Sequence, residues 1–510
     1  MRIVVIGSGF GGLAAAIRLQ AQGHDVTIVE KLDKPGGRAY VFEQDGFTFD
    51  AGPTIITAPW VLDELFALTG RKTADYIQLK LLDPFYNIRF EDGTVFHYNG
   101  DRENLLRQVE EFSPADRAGY ERFREKSWEI FNVGMPLIDK PFLTFGSMVK
   151  VLPELIRTRA DKSVAAMANT YLRDERLRQV FSFHPLLVGG NPYAASSMYA
   201  LIHKLEQQWG VLFAMGGTGA LVRALVQAFE DLGGRIRLSS EVAEIEVSDA
   251  RRTTGVRLKN GERLAADAVV CNGDLVQAYR TLVAPDKRPK VSNRRVEKLK
   301  HSMSLFVIYF GTNRKYENIA HHEILMGPRY RELLEDIFER KIVADDFSLY
   351  LHRPTATDPT LAPPGHDCWY VLSPVPHLGS GTDWETMAPR YRDRIMAYLE
   401  ERYLPDLSRH IVTERRVDPR YFEHTLNSYM GSAFGPEPVL TQSAWFRPHN
   451  RSPDIPNLYF CGAGTHPGAG LPGVIASGKI VADLIGTAPR KDAARSDAAR
   501  PVAPRATAKV

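Results

Sequence analysis

Gly7, Gly9, Gly11 and Gly12, with Phe10 among them, form a G-x-G-x-x-G run, and Glu30 follows eighteen residues after Gly12. Residues of these types at this spacing can hold a dinucleotide. The first glycine permits a tight turn, the second lets a pyrophosphate reach the backbone, and the third lets a helix close on a strand. A helix that begins inside the run offers unpaired N–H groups and its positive dipole end to phosphate. Glu30 would hold a ribose diol, and its charge repels a 2′-phosphate, which sets NADP aside and leaves FAD or NAD. Gly36-Gly37-Arg38 lies a few residues further on, and backbone contacts beyond the first unit suit the longer flavin dinucleotide.

These residues need a βαβ unit to place them, and the sequence supplies one. Arg2 to Ile6 reads as a buried strand, Leu13 to Gln22 as a helix rich in Ala and Leu, and His24 to Glu30 as a second strand. Phe47 to Asp50 reads as a further strand ending at Ala51-Gly52-Pro53. Residues 100–133 and 160–209 carry mostly helical patterns. From Gly216 the α/β texture returns, and the strand pattern at Asn457 to Cys461 precedes a helix over Gly473 to Ile485. The expected fold is α/β, with a Rossmann-like dinucleotide domain discontinuous over 1–70, 215–285 and 440–486. A largely helical lobe spans 71–214, a mixed β-sheet substrate domain spans 286–439, and 487–510 is expected to be a disordered basic tail.

At 510 residues the chain exceeds what one core supports. Its 44% hydrophobic and 25% charged content excludes a fibrous or wholly disordered protein. A net charge of only +3 does not favour a nucleic-acid partner. Cys271, Cys368 and Cys461 form no CxxC, so neither a disulfide framework nor a zinc knuckle is expected, and no metal site is anticipated. The N-terminus reads as a strand and not as an export signal, and no apolar run reaches the ~18 residues needed to span a bilayer.

The glycine run with Glu30, Lys31, Gly36, Gly37 and Arg38, together with Leu458 to Gly464 and Gly470 to Val474, resembles the FAD signature of the amine-oxidase-like flavoproteins. That resemblance implies a cofactor site built from Gly52, Pro53, Thr54, Gly462, Ala463, Gly464, Gly473 and Val474 as well. It also implies that the backbone of Val242 meets the adenine. A closer resemblance rests on five further stretches: Gly36 to Tyr40, Phe49 to Thr54, Phe181 to Pro192, Gly327 to Leu333 and Thr441 to Pro448, joined by Gly464 to Gly470. These are similar to the bacterial phytoene desaturases. The resemblance covers residues 1 to about 485 and implies FAD as cofactor, phytoene and its desaturated intermediates as substrates, and oxygen or a quinone as electron acceptor.

The family chemistry requires hydride transfer to flavin and proton loss to a base. Where relatives carry an Arg and an Asp considered for acid/base work, this chain reads Phe145-Gly146-Ser147-Met148-Val149-Lys150. The candidates left are His184, Glu437 and Lys150. A lipid-soluble substrate also implies a membrane surface. Residues 135–159 are rich in apolar side chains and carry Lys140, Lys150, Arg157 and Arg159 against Asp139 and Glu154. The segment is expected either to dock on the membrane as a substrate entrance or to pack on the protein's own core. The resemblance places the protein in the cytoplasm, peripheral on the inner face of the cell membrane. The rival readings are a related flavoprotein oxidoreductase acting on another carotenoid intermediate and a non-catalytic lipid-binding protein on this scaffold, as in the Rab escort proteins.

Overall fold

The computed structural model describes residues 1–488, so the expected tail over 487–510 lies almost wholly outside the described residues. Arg2–Ile6 is a run of Ile and Val with a buried interior, as befits a strand covered on both faces. It pairs in parallel with Asp25–Val29 on one side and Ala268–Cys271 on the other. Arg235–Arg237 and Leu458–Phe460 complete a parallel sheet of five. The dinucleotide sheet thus draws its strands from four separated parts of the chain.

The helix Phe10–Ala21 buries Leu13 through Ile17 without a break, because it is sandwiched between the sheet and the C-terminal helix Leu471–Ile485. Small residues make that contact possible: a Cβ on Gly478 would stand 2.7 Å from the Ala15 nitrogen and 2.8 Å from the Gly11 carbonyl oxygen. Val242–Val247, Thr253–Leu258 and Arg263–Ala265 form a separate antiparallel sheet.

A seven-stranded mixed sheet forms the second domain, in the order Ile411–Val417, Ser304–Thr312, Asp367–Val375, Leu349–His352, His322–Leu325, Tyr86–Arg89, Val95–Tyr98. The last two strands fall inside the stretch expected to be a helical lobe. Tyr86–Arg89 pairs in parallel with His322–Leu325 and antiparallel with Val95–Tyr98, and the aromatic residues Tyr86, Phe96 and Tyr98 bury both strands in the same core as the substrate sheet. Leu79–Leu81 and Leu212–Ala214 form a further two-stranded piece within 71–214. The helical patterns lie at 100–133 and 160–209, and the residues before them join the sheet through pairing with a partner strand more than two hundred residues away.

The helix Phe145–Arg157 has no buried residue. It does not pack into the core, which was one of the two expectations for it. Phe145, Val149, Leu152 and Ile156 recur at helical spacing and are 58%, 51%, 46% and 64% exposed, whereas Met148, Val151 and Leu155 face an internal cavity. No helix among the described residues is long and apolar enough to cross a membrane.

Candidate active site

One cavity of about 660 Å³ runs between the parallel sheet and the mixed sheet. At the end of the first strand, Gly7 (φ +91°) turns the chain into the helix Phe10–Ala21. Gly7, Gly9, Phe10 and Gly11 line the cavity. Gly12 does not: a Cβ there would lie 2.1 Å from the Gly7 carbonyl oxygen, so it serves the close approach of helix and strand. Glu30 is buried and held in place, its carboxylate accepting from the Ser8 N–H (2.8 Å), the Ser8 hydroxyl (2.7 Å) and the Leu32 N–H (3.0 Å).

Lys31, Gly36, Gly37, Arg38, Gly52, Pro53, Thr54, Val242, Ala463, Gly462, Gly473 and Val474 share the same wall. Gly464 stands behind it, where a Cβ would press on Leu275 at 3.0 Å. The structure also brings in Asn272, which the sequence reading missed. Its side chain fills the space where Cβ atoms on Gly9, Gly11 and Gly462 would lie, at 2.9, 2.6 and 2.7 Å. No local signal marks it, since Asn272 follows an ordinary strand and acquires its place only when Ala268–Cys271 enters the sheet.

The wall fits a flavin dinucleotide. Arg38 donates from Nη2 to Ser428 Oγ at 2.8 Å, yet its Nε is buried and has no partner in the chain. Burial lowers the guanidinium pKa, and Asp274 works against that shift. A buried cation with a free donor beside a glycine-lined cleft suits a pyrophosphate. The N-terminus of the helix Leu471–Ile485 also faces the cavity through Leu471, Gly473 and Val474, which suits negative charge on a reduced isoalloxazine.

Beyond that wall the cavity is apolar, lined by Leu186, Met303, Val307, Met326 and Phe434 among others. Its main polar cluster is Thr54 with Tyr350 and Tyr370. The Thr54 hydroxyl bonds to the Tyr350 oxygen at 3.1 Å and the Tyr370 oxygen at 2.8 Å. Burial pushes both phenol pKa values up, so both stay neutral. Asp50 also borders the cavity. Its carboxylate accepts from the N–H groups of Thr218 (2.8 Å) and Gly219 (3.1 Å), and burial raises its pKa to about 6.

None of the three expected base candidates is on the cavity wall. His184 is turned away into the core, where its Nε2 meets Glu206 Oε2 at 2.9 Å and Tyr86 donates to the other carboxylate oxygen at 2.7 Å. Both partners are almost fully buried, so His184 is a core residue satisfied by a carboxylate. Glu437 is buried near Lys300 and Lys341 with its pKa raised by burial to about 7, but it lies outside the cavity lining, held there by the bond from its N–H to the Lys300 carbonyl. Lys150 sits on the outer side of its helix and is exposed.

The fold and the cradle define a flavin-dependent oxidoreductase, and the comparisons agree. Residues 10–486 match the family described as flavin containing amine oxidoreductase, and the chain belongs to that family; its cofactor is FAD. More narrowly, the chain is 51% identical over 486 residues to the phytoene desaturase (lycopene-forming) of Pseudescherichia vulneris, covering 95% of this chain and 99% of that one. It is 50% identical over 483 residues to the enzyme of the same description from Pantoea ananas, covering 94% and 98%. Among solved structures, an oxidoreductase from Methanosarcina mazei superposes with a TM-score of 0.65 at 17% identity, covering 95% of this chain and 100% of that one, which shows the shared fold.

Proposed function

We infer that this protein desaturates phytoene stepwise toward lycopene. The observation that carries the reading is the continuity of one cavity, glycine-lined and cationic where FAD fits and apolar where a polyene fits. FAD supplies the hydride acceptor. The chain supplies an apolar wall that excludes water and a helix N-terminus that favours negative charge on the cofactor. The high identity to lycopene-forming relatives over nearly the whole chain supports phytoene as substrate. Oxygen or a quinone takes the electrons onward.

The protein works at the inner face of the cell membrane, as a peripheral protein on its cytoplasmic side. The exposed stripe Phe145, Val149, Leu152 and Ile156, with Phe446 beside it through the Phe145–Trp445 ring contact at 5.2 Å, supports docking. The opposite side of the same helix lines the cavity. On this reading a lipid-soluble substrate lies one helix thickness from its channel.

The test is incubation of purified protein with FAD and phytoene-loaded liposomes, with and without air or added quinone, followed by chromatography with visible detection. Longer-wavelength polyenes are expected, and their dependence on air or quinone identifies the acceptor. Unchanged phytoene with FAD bound and a quinone present would overturn the reading in favour of another lipid-soluble substrate.

A further inference from the structure

A strand sends successive side chains to opposite faces, so two neighbouring histidines rarely meet the same third one. Here they do. His322 opens the strand His322–Leu325 and is paired in register with His352 at the end of Leu349–His352. His321 stands just before the strand, outside its alternation, and its Nε2 lies 3.1 Å from His352 Nε2. The three ring centroids are 4.5, 4.9 and 5.1 Å apart, and one nitrogen of each ring lies within 4.8 Å of the others.

These separations suit a shared ion. Two nitrogens each about 2.0–2.1 Å from a tetrahedral zinc stand about 3.3 Å apart, with their ring centroids about 5 Å apart. Packing alone accounts less well for the cluster. The rings belong to residues that are 5%, 0% and 0% exposed, and His322 Nε2 and His352 Nδ1 are buried with no partner, which leaves polar atoms unsatisfied. Two of the rings are held from behind, as ligating histidines usually are: Nδ1 of His321 meets the Thr357 hydroxyl at 2.6 Å, and Nδ1 of His322 meets the Tyr350 hydroxyl at 2.6 Å. Burial holds the pKa of all three imidazoles far below the ordinary value, so they are neutral, the form that ligates. Glu323 is engaged by Asn87 and Arg89, which leaves three imidazoles alone, a set that zinc accepts with water in the fourth position.

We propose that His321, His322 and His352 bind one zinc ion through their Nε2 atoms, with a water or hydroxide as fourth ligand. His352 Nδ1 then carries that ring's hydrogen. The ion fastens the start of one strand to the end of its neighbour in the substrate sheet. None of the three histidines lines the cavity, so the site is separate from the flavin cradle and does not rest on the desaturase reading. Tyr350 joins the two regions, since its hydroxyl also bonds to Thr54 at 3.1 Å. This departs from the expectation of no metal site, which rested on the cysteines.

The experiment uses the full-length, FAD-loaded protein, stripped with a chelator, supplied with zinc alone and desalted. Metal analysis is expected to find one zinc per chain in wild type and its loss in His321→Gln and in His352→Gln. Zinc should raise the melting temperature of wild type and leave that of both variants unmoved. Thr357→Val and Tyr350→Phe keep all three ligands and should bind zinc about 10- to 100-fold more weakly. X-ray absorption at the zinc edge of wild type, which needs no variant to fold, is expected to show imidazole nitrogens at about 2.0–2.1 Å. Wild type that retains no zinc, or zinc retained undiminished in both histidine variants, would overturn the proposal. So would an absorption spectrum without imidazole scattering.

Discussion

The amide oxygen of Asn272 lies 2.6 Å from where a Cβ on Gly11 would stand, and the Gly462 nitrogen lies 2.9 Å from the same point. Two segments far apart in sequence therefore close on one glycine, and neither is the mobile end of a long side chain. Gly11→Ala is expected to weaken FAD binding at least tenfold, about 1.4 kcal/mol, as read by flavin fluorescence titration. Gly11→Ala combined with Asn272→Ala should recover part of that loss, because the smaller side chain makes room.

The glycine run, Glu30 and the flanking strands were legible because each answers to a local rule: period, turn and charge. Asn272 and the histidine cluster were not. His321, His322 and His352 meet through antiparallel register between strands thirty residues apart, and no spacing in the sequence encodes it. The apolar residues of Phe145–Arg157 were visible, but their division between a cavity side and an outer side was not. Two apolar faces on one helix give the same composition as one buried face.

The placement of His184 predicts a structural phenotype. His184→Ala leaves the Glu206 carboxylate buried with one partner fewer, and the expected cost is about 2–3 kcal/mol. Urea unfolding should register it. Turnover per folded, FAD-loaded molecule should stay within twofold of wild type, since His184 does not reach the cavity.

Asp50 gives a pH dependence of definite sign. Its pKa is raised by burial to about 6 in the folded chain, above an unfolded value of about 3.9. The stability it contributes is therefore fully present below the unfolded value and is lost as pH rises through about 6, a change of roughly 3 kcal/mol at most. Melting temperatures of wild type should fall relative to Asp50→Asn between about pH 3 and 7, most steeply between the two pKa values, with the difference levelling off above about pH 7.

The outer stripe predicts a membrane phenotype separable from chemistry. Each large apolar side chain withdrawn from water contributes about 1.5–3 kcal/mol. Phe145→Ser with Ile156→Ser should cut liposome co-sedimentation more than tenfold and leave the melting temperature unchanged, because neither residue is buried. Lys150→Ala should leave kcat within twofold of wild type, which would separate an exposed charge from a catalytic one.

The parallel sheet takes its outer strand from Leu458–Phe460, and the cradle takes Gly462 and Ala463 from the turn that follows. While the chain is being synthesised, the N-terminal glycine run leaves the ribosome first and waits for more than four hundred residues before its other wall exists. The complete cradle therefore exists only once the chain past Ala463 has folded against the N-terminal glycine run.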